Sequence, residues 1–282
     1  MNNVKIDDNY MKDLSFYKNY ELKKKIKYVF TDVDDTITLD GKLTVEALGA
    51  LWKLDDAGIK TICVTGGSTG WADIYLRQWP IEAVVSESGA IALFKRNGKY
   101  CRWTHPSIDS STYENKRTNL IKAVMEEVPE ARLSSDQFSR IYDVAFDHGT
   151  EEPKLNEYLI NKIETICKSC GASTAVSSIH INAWFGEYNK KIGTLDFMSD
   201  IYEENLKTLI DCSVYIGDAP NDQVMFNTFS LSFAPANIYK KENELIHKPV
   251  YVAKRKGGLG FSQIIDEIIE KNKKNDKNLK KW

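Results

Sequence analysis

Short apolar runs alternate along the chain with longer segments in which apolar residues recur every three or four positions. The short runs are typical of strands buried on both faces of a sheet, and the longer segments are typical of helices that bury one face. The predicted strands are 27–32, 60–65, 82–87, 213–217, 230–234 and 250–253. The predicted helices between them are 43–57, 70–78, 191–209, 221–228 and 260–271. This alternation predicts an α/β fold with a doubly wound, parallel, Rossmann-like sheet.

The pattern changes in the middle of the chain. Residues 91–103 predict a β-hairpin around the turn Arg96-Asn97-Gly98, and a helix–strand–helix–strand series follows it. The members of that series are 113–127, 139–146, 152–169 and 174–183. An α/β cap domain inserted into the core explains this order. The predicted domains are a core of 27–92 and 186–270, a cap of 93–185, a polar N-terminal extension of 1–26 that forms a loose lead-in helix, and a frayed basic tail of 271–282.

Composition narrows the class of protein. The 282 residues are 42% hydrophobic and 28% charged, which is typical of a globular protein with a sizeable core. A net charge of −2 predicts no bulk attraction to nucleic acid. No apolar run is long enough for a membrane span, and the polar N-terminus is unlike a signal peptide, so we expect a cytoplasmic protein. The five scattered cysteines argue against a disulfide framework, and Cys167 and Cys170 are interpreted as helix residues.

Acidic residues follow two of the predicted strands. Asp32, Asp34 and Asp35 come directly after the apolar run Tyr28-Val29-Phe30. The second strand, far along the chain, ends in Gly217-Asp218-Ala219-Pro220-Asn221-Asp222. Ligand sites in open α/β sheets lie at the carboxyl ends of the strands, and crowded carboxylates are costly unless a cation offsets their charge. A bound divalent ion is the simplest explanation, and a pair of ordinary acidic turns is the alternative.

Two further segments carry candidate phosphate-binding groups. Thr65 ends a strand and precedes Gly66 and Gly67, whose backbone N–H groups can approach an anion near the start of the next helix. A flexible strand-to-helix turn is the alternative explanation of these glycines. Lys190 and Lys191 lie at the start of a later helix, and either could reach an anion as a point charge.

These motifs, in this order, resemble the four motifs of the haloacid dehalogenase (HAD) superfamily of phosphatases, and the position of the cap resembles subclass IIB. The resemblance implies that Asp32 is the nucleophile and Asp34 the general acid/base. It implies that Asp32, Asp34 through its carbonyl, Asp218 and Asp222 form a Mg²⁺ site. Thr65 matches the residue that hydrogen-bonds the phosphoryl group. Gly67 stands where many relatives have Arg.

The motif-three lysine and the cap are assigned by similarity to a narrower branch. Lys190 fits a pattern of sugar-phosphatase-like proteins, although the spacing of the apolar residues after it would also suit Lys191. We prefer Lys190. The predicted substrate-binding residues are Gly66, Gly67, Asp136, Gln137, Arg140, Asn182 and Asn221. An ion pair of Arg140 with Asp136 or Asp143 is the alternative for Arg140. Ser88 replaces the Asn that usually stands in this branch.

The sequence therefore predicts a Mg²⁺-dependent phosphatase that acts on a small phosphate ester, expected to be a sugar phosphate. Two alternatives stay open. A phosphomutase would use the same core chemistry, but the sequence shows no dedicated second phosphate site. A catalytically silent or receiver-like phosphate-binding protein would not require both Asp32 and Asp34. No nucleic-acid or membrane partner is expected, and the sequence does not give the oligomeric state or the substrate.

Overall fold

The computed structural model describes residues 10–177 and 179–279, which separate into two compact units. The first unit comprises residues 10–60 and 207–279, and the second comprises residues 61–206. The predicted boundaries of core and cap follow the motifs and stay a prediction. The prediction of an α/β fold around a mostly parallel sheet is confirmed.

The first unit holds a sheet of five parallel strands in the order β1-β14-β13-β12-β2. Their bounds are β1 Lys12–Asp13, β2 Tyr28–Thr31, β12 Ser213–Ile216, β13 Ser232–Ala234 and β14 Tyr251–Val252. A small hairpin is formed by β3 Thr38–Leu39 and β4 Lys42–Leu43. The helices of this unit are α1 Val45–Asp56, α6 Leu206–Asp211, which begins one residue before the unit, α7 Gln223–Phe226 and α8 Gly257–Leu279.

The second unit contains four strands in the order β5-β6-β7-β8 and a separate three-stranded antiparallel sheet in the order β10-β11-β9. The four strands are β5 Lys60–Val64, β6 Ala83–Ser86, β7 Ile91–Arg96 and β8 Lys99–Thr104; β5 and β6 are parallel, and the last two form the predicted hairpin. The separate sheet comprises β9 Val144–Asp147, β10 Ser173–Val176 and β11 His180–Trp184. The helices are α2 Thr69–Gln78, α3 Ser110–Glu127, α4 Glu157–Ser169 and α5 Lys190–Tyr202.

Both ends of the described chain are more ordered than predicted. Residues 10–25 contain a strand and the 3₁₀ helix Leu14–Asn19 instead of a loose helix, and Tyr17 is fully buried with its ring 5.0 Å from that of Phe233. At the other end α8 continues to Leu279, so a frayed tail from residue 271 is wrong for this part of the chain. The amide of buried Asn272 pairs with the backbone of Ile26 through bonds of 2.9 and 2.8 Å. Residues 1–9 and 280–282 of these two predictions lie outside the described residues.

Several internal predictions differ from the structure, among them the predicted helix 152–169, which begins only at Glu157. The predicted strand 174–183 is a hairpin, because the chain reverses before His180, whose N–H donates to Ser177 Oγ. The predicted helix 191–209 is two helices, because Glu203 adopts a left-handed conformation with φ +54° that ends α5. The predicted strand 139–146 begins only at Val144, because a 3₁₀ turn and a loop precede it.

Candidate active site

The acidic residues of the first unit meet because two parallel strands end together. Thr31 of β2 is paired with Ile216 of β12, and the N–H of Asp32 donates to the Ile216 carbonyl at 2.8 Å. The chain leaves both strands at the same edge of the sheet, so Asp32 comes to lie beside the segment that carries Asp218. This is the edge at which ligand sites of α/β folds occur.

Three carboxylates form a compact buried group at this edge. One oxygen each of Asp32, Asp218 and Asp222 lies within 4.8 Å of the others, and the three residues are 5%, 1% and 0% exposed. Buried carboxylates at this spacing are costly unless hydrogen bonds and a cation stabilise them. Hard oxygen donors at a strand edge suit Mg²⁺, which takes few protein ligands and keeps several waters. The residues present therefore fit the predicted metal. The Asp34 carboxylate, which is half-buried, is not part of this group, consistent with the carbonyl role expected for it.

The Asp222 carboxylate holds the loop that carries Asp218 through hydrogen bonds. Its Oδ2 accepts the backbone N–H groups of Asp218 and Ala219 at 2.9 and 3.1 Å, and its Oδ1 accepts the Tyr215 hydroxyl at 2.6 Å. A Cβ atom at Gly217 would lie 2.5 Å from the same carboxylate, so only glycine allows this approach. Burial, and then the charge of Asp222, raise the pKa of Tyr215 well above its usual value, so the phenol keeps its proton and donates it. These contacts support an indirect role for Asp222 at the metal.

We expect Tyr215→Phe to weaken Mg²⁺ binding about tenfold, in the range of such outer-sphere losses. The variant removes the hydroxyl that fixes Asp222, and nothing else in the group changes. Titration calorimetry with Mg²⁺ measures the effect. Tyr17→Phe is the matched control, because the Tyr17 hydroxyl is buried in the same unit without a hydrogen-bond partner in the described chain. Equal Mg²⁺ affinity of Tyr215→Phe and the native protein would contradict the role of Asp222 described above.

Two residues of this group were missed by the sequence analysis. Asn237 donates to Asp218 Oδ2 at 2.8 Å and to the Asp35 carbonyl at 3.0 Å, while its Oδ1 accepts the Gly257 N–H. Lys241 Nζ lies 3.6 Å from Asp218 Oδ2 and is buried. Asn237 could have been found from the sequence as a polar residue after a third strand: β13 is followed by Pro235-Ala236-Asn237 at the same edge of the sheet.

Asn221 was predicted to bind substrate, and it lies in the 3₁₀ helix Pro220–Asp222 beside the acidic group. Its Oδ1 is buried and accepts no hydrogen bond from the residues that the structure describes. An amide oxygen in that situation is suited to accept from a ligand or a water. Its role in substrate binding stays a prediction.

In the second unit, Thr65 and its two glycines form a tight turn that leads into α2. The Gly67 N–H donates to Thr65 Oγ1 at 2.9 Å, and the Gly67 carbonyl accepts from the N–H of Glu87 at 3.0 Å. Ser68 caps α2 by accepting the N–H of Trp71. Glycine is favoured at position 67, where a Cβ would lie 3.2 Å from Thr65 Oγ1. This chain therefore has a close backbone turn at the position where many relatives have Arg.

Arg140 is held by acidic and backbone groups of its own unit. Its guanidinium donates to both Asp143 oxygens at 2.9 Å, to Asp136 at 3.1 and 3.2 Å, and to the Gly66 carbonyl at 2.9 Å. Burial lowers the pKa of Arg140, but the charges of Asp143 and Asp136 raise it, and the net direction is upward. The ion-pair alternative is therefore what the structure shows. Arg140 and Asp136 form an ion pair with each other in this structure. Direct substrate contact by them stays a prediction.

The other predicted cap residues also have partners inside the unit. Asn182 Nδ2 donates to the Gly66 carbonyl at 3.0 Å and to Asp143 at 2.7 Å, and Gln137 bridges the backbone of Asp143 and Ala145. Burial raises the pKa of Asp143 to about 7, against the opposing charge of Arg140. Burial lowers the pKa of His180 to about 4, so this histidine is neutral at physiological pH. Asn182 and Asp143 therefore join Arg140 in one hydrogen-bonded network at the Gly66 carbonyl.

Glu87, which the sequence alone does not mark as a site residue, joins residues 141–143 to the start of α2. Its carboxylate is fully buried and accepts the backbone N–H groups of Ile141, Tyr142 and Asp143 at 2.9, 2.7 and 3.1 Å. It also accepts the N–H and the hydroxyl of Thr69 at the start of α2. Neighbouring Ser88 has φ +57°, a left-handed conformation that Asn adopts more readily, which gives a backbone reason for the Asn of related proteins.

Lys190 begins α5 and is only 3% exposed, whereas Lys191 is half-buried. Asn189 caps the helix by accepting the N–H groups of Lys191 and Ile192 at 2.9 and 3.0 Å. The start of α5 packs directly on the turn at Gly89: a Cβ at Gly193 would lie 2.2 Å from the Gly89 carbonyl oxygen. Burial and this close packing support Lys190 as the functional lysine, and the choice stays a prediction.

Solved structures show where this fold recurs. A HAD/COF-like hydrolase from Plasmodium vivax matches with a TM-score of 0.66 at 16% identity, over 88% of this chain and 97% of that chain. The chain has the haloacid dehalogenase fold. The fold that the resemblance of the four motifs implies is confirmed. Sucrose-phosphatase from Synechocystis, solved with sucrose and phosphate, shares the HAD fold of this chain with a TM-score of 0.60 at 12% identity, over 87% and 98% of the two chains.

The sequence comparison adds one relative. A phosphoglycolate phosphatase from Methanobrevibacter smithii is 26% identical over 255 residues, which are 86% of this chain and 99% of that protein. No protein-family model matches the chain. Among the residues that the structure describes, no helix is both long and apolar enough to cross a membrane.

Proposed function

We propose that this chain is a phosphoric monoester hydrolase of the HAD type that uses Mg²⁺ and acts on a small phosphorylated metabolite, a sugar phosphate. The observation that carries the proposal is the group of three buried carboxylates, Asp32, Asp218 and Asp222, at the common edge of two parallel strands. The phosphatases among the similar proteins support the reaction class. A cytoplasmic location stays a prediction.

The proposed reaction has two steps, and each residue role follows the motif that it matches. Asp32 Oδ attacks phosphorus, and the bond from phosphorus to the ester oxygen breaks as Asp34 gives that oxygen its proton. Asp34 then takes a proton from water, which attacks the aspartyl-phosphate and releases Asp32 and inorganic phosphate. Thr65 and Lys190 donate hydrogen bonds to phosphoryl oxygens. Asp32, Asp218 and the Asp34 carbonyl would hold Mg²⁺, which would supply charge neutralisation at the phosphoryl group.

The proposal predicts phosphate release that depends on Mg²⁺. We expect turnover of at least one member of a panel of sugar phosphates, phosphoglycolate and nucleoside monophosphates with Mg²⁺, and loss of that turnover with EDTA, because the buried carboxylates are uncompensated without the ion. A phosphate-release assay measures both. Restoration by excess Mg²⁺ is the control against denaturation. Turnover that persists in EDTA would contradict the metal role.

The same panel separates the two alternatives. A phosphomutase would move the phosphoryl group to another hydroxyl of the substrate and release little phosphate, which product analysis by phosphorus NMR detects. A silent binding protein would bind Mg²⁺ and phosphate with no turnover of any ester. Asp34 favours the hydrolase over the silent protein, because binding alone requires no acid/base two residues after Asp32.

A further inference from the structure

The Gly66 carbonyl is the meeting point of two buried donors. Arg140 and Asn182 both donate to this oxygen, at 2.9 and 3.0 Å. Both donors are anchored on Asp143, which is fully buried and accepts from each of them. Arg140 and Asn182 are 4% and 2% exposed, so water does not compete strongly for these bonds. The orientation of the Gly66 carbonyl is therefore fixed from the side of β11 and the loop before β9.

Fixing that carbonyl also fixes the next N–H group. The C=O and N–H of a trans peptide are coplanar and point in opposite directions. With the Gly66 oxygen held by Arg140 and Asn182, the Gly67 N–H points the other way, where it donates to Thr65 Oγ1 at 2.9 Å. A side chain would be tightly packed at either position: a Cβ at Gly66 would lie 3.3 Å from Asn182 Oδ1, and one at Gly67 would lie 3.2 Å from Thr65 Oγ1.

The bond from Gly67 decides what the Thr65 hydroxyl can do. A threonine hydroxyl has one proton to donate and two lone pairs that accept. The Gly67 N–H occupies a lone pair and holds the oxygen in place, so the hydroxyl proton is directed to an acceptor. In the proposed function that acceptor is a phosphoryl oxygen, and Thr65 is 1% exposed, so water competes weakly for the proton.

We propose that Asn182 and Arg140 are positioning residues that orient the Thr65 hydroxyl toward the phosphoryl group through the Gly66–Gly67 peptide. This inference rests on the proposed function and adds to it a positioning role for two of the side chains that were predicted to bind the substrate. It also explains why Arg140 carries so many internal bonds.

A double-mutant cycle on inorganic phosphate binding tests the proposal. Thr65→Ala, Asn182→Ala and the double variant are each loaded with Mg²⁺ and titrated with inorganic phosphate by calorimetry. We expect each single variant to weaken phosphate binding about tenfold, the size of a lost charge-assisted hydrogen bond, and the double variant to be no weaker than Thr65→Ala. A cycle in which the two losses multiply to about a hundredfold would overturn the proposal. So would unchanged phosphate affinity of Asn182→Ala.

Two further variants keep a folding defect apart from a positioning role. Asn156→Ala removes the cap of α4 in the same unit without touching the turn, so it should lower thermal stability and leave phosphate affinity within about twofold. If Asn182→Ala does not fold, Asn182→Val replaces it, because a β-branched side chain suits the interior of β11. If the native protein turns over a phosphate ester but the two losses of phosphate affinity multiply, only this inference is wrong. If the native protein binds phosphate and gives the expected cycle but turns over no ester, only the proposed function is wrong. Native protein that binds no phosphate contradicts both.

Discussion

Asp32→Asn should abolish phosphate release, with a fall in kcat of roughly 10⁴-fold or more, as expected when a nucleophile that forms the covalent intermediate is removed. The amide is nearly isosteric with the carboxylate but is a poor nucleophile, and the strand-edge position of residue 32 does not change. One buried negative charge of the group with Asp218 and Asp222 is also lost. Steady-state kinetics on the best substrate of the panel measures the effect.

Asp40→Asn is the matched control for that variant. Asp40 lies eight positions further along, is exposed, and has φ +50°, a left-handed conformation that Asn tolerates well. We expect its kcat to stay within about twofold of native, since surface substitutions away from a site have small effects. Residual turnover of Asp32→Asn above a hundredth of native, in protein free of reversion and contaminating phosphatase, would contradict the assignment of the nucleophile.

Gly193→Ala should have the largest effect on stability. A Cβ at this position would lie 2.2 Å from the Gly89 carbonyl oxygen and 2.6 Å from the Gly89 Cα, so α5 must move away from the turn that follows Glu87. Gly89 cannot yield easily, because its φ is +110° and its own missing Cβ faces the Asn189 carbonyl at 2.4 Å. We expect the free energy of unfolding to fall by about 3 kcal/mol or more, as for severe overpacking of a core. Urea unfolding measures it.

Gly49→Ala tests whether the effect comes from the contact and not from alanine in a helix. Gly49 lies in α1, and a Cβ there would meet no atom within 4 Å. Alanine is the better helix former, so this variant should be more stable than native by about 0.5–1 kcal/mol. Opposite signs for the two variants are the expected result. Equal small effects would show that α5 does not need its close approach to Gly89.

The acidic group could be predicted from sequence because its information is local. Each motif places carboxylates within a few residues of a buried strand end, and parallel pairing of two such strands brings their ends together. Asp32 and Asp218 thus required only the strand pattern and the spacing. Asn237 follows the same rule at the end of β13, but a single amide after Pro235-Ala236 is too common a loop pattern to stand out.

The role of Arg140 could not be decided from sequence because its partners are distant. Its bond to Gly66 spans 74 positions, and the anchor Asp143 meets Asn182 across 39 positions. Local pattern shows that a charged residue is available, but it does not show whether a buried carboxylate already pairs with it. Prediction of helix ends from local sequence is limited as well. Glu203 ends α5 in a left-handed conformation, although neither Gly nor Pro stands at this position to indicate a helix end.

The proposed reaction requires that Asp32 becomes covalently phosphorylated during turnover. Rapid acid quenching of the Mg²⁺-loaded protein with a turned-over substrate, followed by peptide mass spectrometry, detects this intermediate. We predict one phosphoryl group on the peptide that contains Asp32, present with Mg²⁺, absent with EDTA and absent in Asp32→Asn. Turnover without any protein-bound phosphoryl group, or with the group on another residue, would contradict the account.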